Sequence, residues 1–101
     1  MTAKKLAPVH PGEVLREDFL NPMKLSPYAV ARACGVPRTR IERVARGEAP
    51  ITADTALRVA RYFGTTPAFW MNMQAQFDLE TAADEMAAAL KKIEPLKRDA
   101  A

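Results

Sequence analysis

Apolar residues recur at helical spacing along most of the chain, and proline, glycine and cap residues divide them into short segments. The first segment runs from about Pro11 to Leu20, where the breaker Asn21-Pro22 ends it. The next four start at a hydroxyl residue or a proline, and three of them stop at or just before a glycine. These four cover residues 26–35, 37–46, 52–64 and 66–79. Strand patterns are nearly absent, so the sequence predicts an all-α fold with five helices.

A further helical stretch runs from about Ala82 to Ile93. Thr81 and Asp84 have capping-box spacing, which favours a fresh start there over a continuation of the fifth helix. We therefore expect a flexible N-terminus over residues 1–8, a domain over 9–79, a C-terminal helical extension over 80–94 and a frayed tail over 95–101.

Residues 26–46 have the pattern of a helix-turn-helix. Two helices that meet at a tight turn need a small residue where they cross, a glycine in the left-handed turn position and two apolar anchors on the second helix. Ala31, Gly35, Ile41 and Val44 supply these in order. We expect these four residues to form the core of the motif.

The second helix of this pair presents a polar face opposite its apolar one, because successive residues turn by about 100°. Arginine on such a face can grip guanine in the major groove of DNA, and threonine can contact a thymine methyl. The candidate base-reading residues are Arg38, Thr39, Arg40, Glu42, Arg43 and Arg46. The alternative is a solvated ladder of ion pairs along Arg38, Glu42 and Arg46, which stand four residues apart.

Phosphate contacts require cations or hydrogen-bond donors at the rim of this motif. The candidates are Lys24, Ser26, Tyr28 and Arg32. Tyr28 could equally be a half-buried packing residue. The charge distribution supports a polyanionic partner: eight basic and three acidic residues lie between Lys24 and Arg61, whereas the stretch from Tyr62 to Leu90 has four acidic residues and no basic one.

A stripe of large apolar residues follows the motif and extends into the C-terminal helix. Core packing against Phe63 accounts for part of it, but its far end has little domain left to pack against. We predict contact with a second copy through Trp70, Met73, Phe77, Met86 and Leu90.

Composition excludes several classes of protein. With one cysteine and one histidine, the chain has no Ser-His-Asp set, no disulfide pair and no zinc-ligand set, so we expect no enzyme activity, cofactor, metal or small-molecule substrate. No stretch resembles a secretory signal or a membrane span, which predicts a cytoplasmic protein that does not bind membranes. A helix-turn-helix domain that binds only proteins is a remaining alternative, against which the arginines argue.

Three runs resemble HigA/VapI-type antitoxins of the XRE (lambda-repressor-like) helix-turn-helix family. They are Gly35–Ile41 (GVPRTRI), Ile51–Arg58 (ITADTALR) and Gly64–Asn72 (GTTPAFWMN), and His10–Glu13 (HPGE) also matches. The resemblance covers about Val9 to Leu79.

The resemblance implies a five-helix fold, a homodimer and binding to a palindromic operator in double-stranded DNA. It also implies neutralisation of a HigB-like mRNA-cleaving toxin and repression of the operon that encodes the pair. A free-standing XRE-family regulator without a toxin is the alternative. Pro27 stands where the wider class often has a glutamine that contacts phosphate, so no side-chain contact is expected there.

Overall fold

The first helix, α1, is longer than its sequence pattern predicts. A computed structural model describes residues 7–98, in which α1 comprises Pro11–Val14, a π-helical stretch Leu15–Leu20 and a final turn Asn21–Met23. The predicted end at Leu20 is therefore wrong. A π turn is wider than an α turn, and this relieves the clash of the Pro22 ring with the carbonyl four residues earlier.

His10 begins α1 as its cap. Its Nδ1 accepts a hydrogen bond from the Gly12 N–H at 2.9 Å, and Pro11 follows at the first helical position. Burial lowers the pKa of His10, although Ala49 and Asp78 act in the opposite direction. A neutral imidazole keeps Nδ1 available as an acceptor.

Five helices follow, of which the first three have the predicted positions. They are α2 (Pro27–Cys34), α3 (Arg38–Ala45), α4 (Ala53–Phe63), α5 (Pro67–Glu85) and α6 (Ala87–Lys91). The hydroxyls of Ser26, Thr52 and Thr66 each accept a hydrogen bond from the backbone N–H three residues later. Gly35 and Gly64 end α2 and α4 in the left-handed conformation, with φ of 71° and 75°. These observations confirm the all-α fold and its caps.

The predicted fresh start at Thr81 is wrong. Thr81 lies inside α5, which continues to Glu85, and the break comes at Met86, where φ is −99° and ψ is 7°. A capping box needs an extended backbone at its first residue, and α5 stays helical there. Residues 1–6 and 99–101, which belong to the predicted flexible N-terminus and frayed tail, lie outside the described residues.

The core lies where α1 to α5 meet. Its largest fully buried side chains are Pro11, Leu15, Val30, Ile41, Val44, Ile51, Val59 and Trp70. The Trp70 indole lies 5.2 Å from the Phe19 ring, centroid to centroid, and its Nε1 donates a hydrogen bond to Thr65 Oγ1 at 2.7 Å.

Trp70 is therefore not a contact for a second copy, because none of its surface is exposed on the protomer. Met73 packs against the same core, and the Phe77 ring meets the His10 ring edge-on at 4.9 Å. Met86 and Leu90 differ from these three, since about half of each side chain is exposed. The predicted stripe is thus a core element at its start and an exposed surface at its end.

Gly12 allows α1 to cross closely over the end of α3. A β-carbon at this position would overlap the carbonyl oxygen of Val44. Backbone atoms cannot move aside as the end of a side chain can, so only glycine fits this crossing.

We expect Gly12→Ala to lower the free energy of unfolding by about 1–3 kcal/mol, because overpacking forces the two helices apart. The intrinsic preference acts the other way, since Gly→Ala inside a helix normally stabilises it by roughly 0.4–1 kcal/mol. Urea unfolding followed by circular dichroism measures the sign. A more stable variant would show that the two backbones are not in close contact.

Candidate nucleic-acid interface

Helix α3 is held from its buried side and at its C-terminal end. Ile41 and Val44 are buried, and Ala31 of α2 is buried with them. At the end of α3, Arg16 Nη1 of α1 donates a hydrogen bond to the Ala45 carbonyl at 2.6 Å. This bond satisfies a carbonyl that has no partner within the helix. The contacts fix which face of α3 points outward.

That outward face carries Thr39, Arg43 and Arg46, whose side chains are all exposed. Arg43 Nη2 donates a long hydrogen bond of 3.5 Å to the Glu48 carbonyl. The Arg46 side chain makes no hydrogen bond within the described part of the chain. Long, exposed arginines on a rigid helix can reach the edges of bases in a major groove. These three residues therefore stay candidates for contact with DNA bases.

The other candidate base-reading residues have ion-pair partners. Arg38 Nε lies 3.5 Å from Glu42 Oε2, one turn later in the same helix. Arg40 Nη1 lies 2.7 Å from Asp54 Oδ1 in the first turn of α4. The structure therefore contains one step of the alternative ladder, the ion pair between Arg38 and Glu42. Arg40 is not part of that ladder, and its ion pair with α4 separates it from the outward residues Thr39, Arg43 and Arg46.

The candidate phosphate-binding residues lie around the start of α2. Lys24 has a left-handed backbone with φ of 54°, in the turn between α1 and α2. Ser26 Oγ accepts the capping hydrogen bond from the Ala29 N–H at 3.1 Å, which leaves its hydroxyl proton available to a phosphate. Tyr28 and Arg32 are exposed on α2. Tyr28 is 54% exposed, so about half of it is buried, and the packing alternative stays open beside the phosphate contact.

An ion pair near α3, between Asp54 and Arg58, was not singled out from the sequence. Asp54 Oδ1 accepts from Arg58 Nε at 2.8 Å as well as from Arg40, and Arg58 Nη1 donates to the Cys34 carbonyl at 2.7 Å. The hydrogen bond from Arg58, with a further contribution from Arg40, holds the pKa of Asp54 below its usual range. The spacing of Asp54 and Arg58 by one helical turn was a usable signal for their pairing, whereas the contact with Arg40 spans two helices.

Gln74 was not singled out from the sequence either. It is buried, its Oε1 accepts from the Ile51 N–H at 2.8 Å, and its Nε2 donates to Asp78 Oδ1 at 2.9 Å. The first bond attaches the loop that follows α3 to α5, and the second lies within α5. Across residues 7–98, no group of three or more His, Cys, Asp or Glu side chains is arranged to hold a metal ion, and no helix is both long and apolar enough to cross a bilayer.

Known proteins match most of this chain. The helix-turn-helix family matches residues 16–70. Virulence-associated protein I (VapI) of Dichelobacter nodosus is 47% identical over 91% of this chain and 84% of its own length. Antitoxin HigA-1 of Vibrio cholerae is 35% identical over 95% of this chain and 90% of its own. The chain belongs to the HigA/VapI helix-turn-helix family.

A solved HigA structure agrees in its fold. Pseudomonas aeruginosa antitoxin HigA, determined with the higBA promoter, superposes with a TM-score of 0.86 at 42% identity, over 89% of this chain and 99% of its own. The HigA/VapI family resemblance in the sequence is thereby confirmed, and so is the helix-turn-helix fold class.

Proposed function

We propose that this protein is a DNA-binding antitoxin that represses its own operon and neutralises a HigB-like mRNA-cleaving toxin in the cytoplasm. The observation that carries the proposal is the rigid α3 with its exposed Thr39, Arg43 and Arg46, in a chain that matches a promoter-bound HigA over nearly its full length. In this proposal α3 enters the major groove, and Lys24, Ser26, Tyr28 and Arg32 contact the phosphates on either side.

A palindromic operator requires two copies of α3, about 34–36 Å apart. The C-terminal part of the chain supports a homodimer, because Met86 and Leu90 are apolar and about half exposed where the helices leave the domain. A purely binding role, without catalysis, fits a family of regulators. We therefore propose a homodimer that binds one half-site with each α3.

We expect Arg43→Ala to relax base preference at one position in each half-site, at a cost of about 1–3 kcal/mol in discrimination. Quantitative gel shifts with an operator library, built from the DNA upstream of the gene, measure this. Arg61→Ala is the matched control, because it removes one exposed arginine of α4 that is not among the candidate DNA-binding residues. If Arg43→Ala retains both the affinity and the preference of the wild type, α3 does not read DNA through Arg43.

We expect Leu90→Glu to shift the protein from dimer to monomer, because the new carboxylate would lose its water at an apolar contact. Light scattering at micromolar concentration gives the mass. Leu57→Glu is the matched control, since Leu57 is also an exposed leucine and lies on α4. A wild-type monomer, or dissociation by both variants alike, would contradict the dimer contact.

We expect co-expression of this protein to restore growth to cells that express the neighbouring toxin-sized gene. Arg43→Ala should still rescue growth while it loses repression of a promoter fusion, because toxin binding does not require the reading face. Operator binding without rescue would identify a free-standing regulator of the same fold.

A further inference from the structure

Asp54 links three helices beside the outward face of α3, which carries Thr39, Arg43 and Arg46. Its Oδ1 accepts from Arg40 Nη1 of α3 at 2.7 Å and from Arg58 Nε of α4 at 2.8 Å. Arg58 in turn donates to the Cys34 carbonyl at the end of α2, at 2.7 Å. Hydrogen bonds therefore connect Cys34, at the end of α2, to Arg40 in the first turn of α3. They pass through Arg58 and the carboxylate of Asp54.

This arrangement contributes little to stability. The side chains of Arg40, Asp54 and Arg58 are between 42% and 55% exposed, and ion pairs in water are weak, because solvent screens them and ordering long side chains costs entropy. Its effect on Arg40 is more specific. Arg40 is the arginine of α3 whose ion pair reaches another helix, and the pair directs its guanidinium toward α4.

In the docking proposed above, an arginine in the first turn of α3 that has no ion pair is long enough to contact a phosphate at the edge of the groove. Such a contact carries no sequence information, and it strengthens binding to any DNA as much as to the operator. Asp54 remains ionised at neutral pH, because Arg58 and Arg40 both hydrogen-bond to its charged form. Arg58 fixes the carboxylate from the other side, so the anion that faces Arg40 is held in place.

We propose that Asp54 is a positioning residue that holds Arg40 away from the DNA backbone and so limits non-specific binding. The inference rests on the proposed function. It removes Arg40 from the candidate base-reading residues and leaves reading to the outward face of Thr39, Arg43 and Arg46.

The test compares Asp54→Asn, Arg40→Ala and the double variant. The salt dependence of binding is measured on operator DNA and on unrelated DNA of equal length. Asp54→Asn frees Arg40 in both protomers of the proposed dimer, so the slope of log affinity against log salt steepens by about two on both DNAs, one for each new phosphate contact. Affinity for unrelated DNA and for the operator then rises by a similar factor, roughly fifty- to a hundredfold at 0.1 M salt, and the ratio of specific to non-specific affinity stays near its wild-type value. Arg40→Ala keeps the wild-type slope, and the double variant behaves like Arg40→Ala.

Glu48→Gln is the charge-matched control, because it removes one exposed carboxylate just after α3 that makes no ion pair within residues 7–98. If Glu48→Gln steepens the slope as much as Asp54→Asn does, only net charge matters and the proposal is wrong. A slope that flattens by about two in Arg40→Ala alone also overturns it, since Arg40 of each protomer would then contact phosphate in the wild type.

The two proposals fail in different ways. Wild-type protein that binds no operator overturns the proposed function and this inference together. Wild-type protein that binds its operator, with an unchanged slope and an unchanged affinity for unrelated DNA in Asp54→Asn, overturns this inference alone. Circular dichroism and unfolding midpoints, expected to stay near those of the wild type, show that each variant is folded.

Discussion

The close crossing of α1 over the end of α3 is the contact on which the outward face depends. An isolated eight-residue helix is unstable in water, so α3 exists because its surroundings hold it. Gly12 brings α1 to the Val44 carbonyl, and Arg16 binds the next carbonyl, of Ala45. With Ile41 buried beneath, α3 has one orientation. The direction of its arginines is thus set by residues of α1 that are not among the candidate DNA-binding residues.

The features that were predictable from the sequence are those that depend on neighbours along the chain. The caps at Ser26, Thr52 and Thr66, and the spacing from Ala31 to Val44, are local patterns, and the structure agrees with each. The missed features depend on distant residues, as the hydrogen bond between Arg16 and Ala45 illustrates. The end of α1 was missed for another reason: a proline stops an α-helix, but a π stretch before it lets the helix continue.

The chain separates its two kinds of surface along its length. The stretch from Lys24 to Arg61 holds eight of the fifteen lysines and arginines, some exposed and others paired with acidic side chains, so the electrostatic potential over it is patterned and not uniformly positive. The C-terminal half projects beyond the core, with its first turns buried and with Leu79, Ile93 and Leu96 largely exposed. A single helix, α5, joins the two parts, since Trp70 and Gln74 anchor its first half in the core.

The burial of Trp70 also provides an intrinsic optical probe. It is the chain's single tryptophan, its indole has no exposed surface, and it contacts the rings of Phe19 and Phe69. Its fluorescence emission should therefore be blue-shifted and shielded from iodide in the folded protein. Because it lies in the core, away from the outward face of α3, the emission reports whether α1 and α5 stay packed and is insensitive to a ligand on that face.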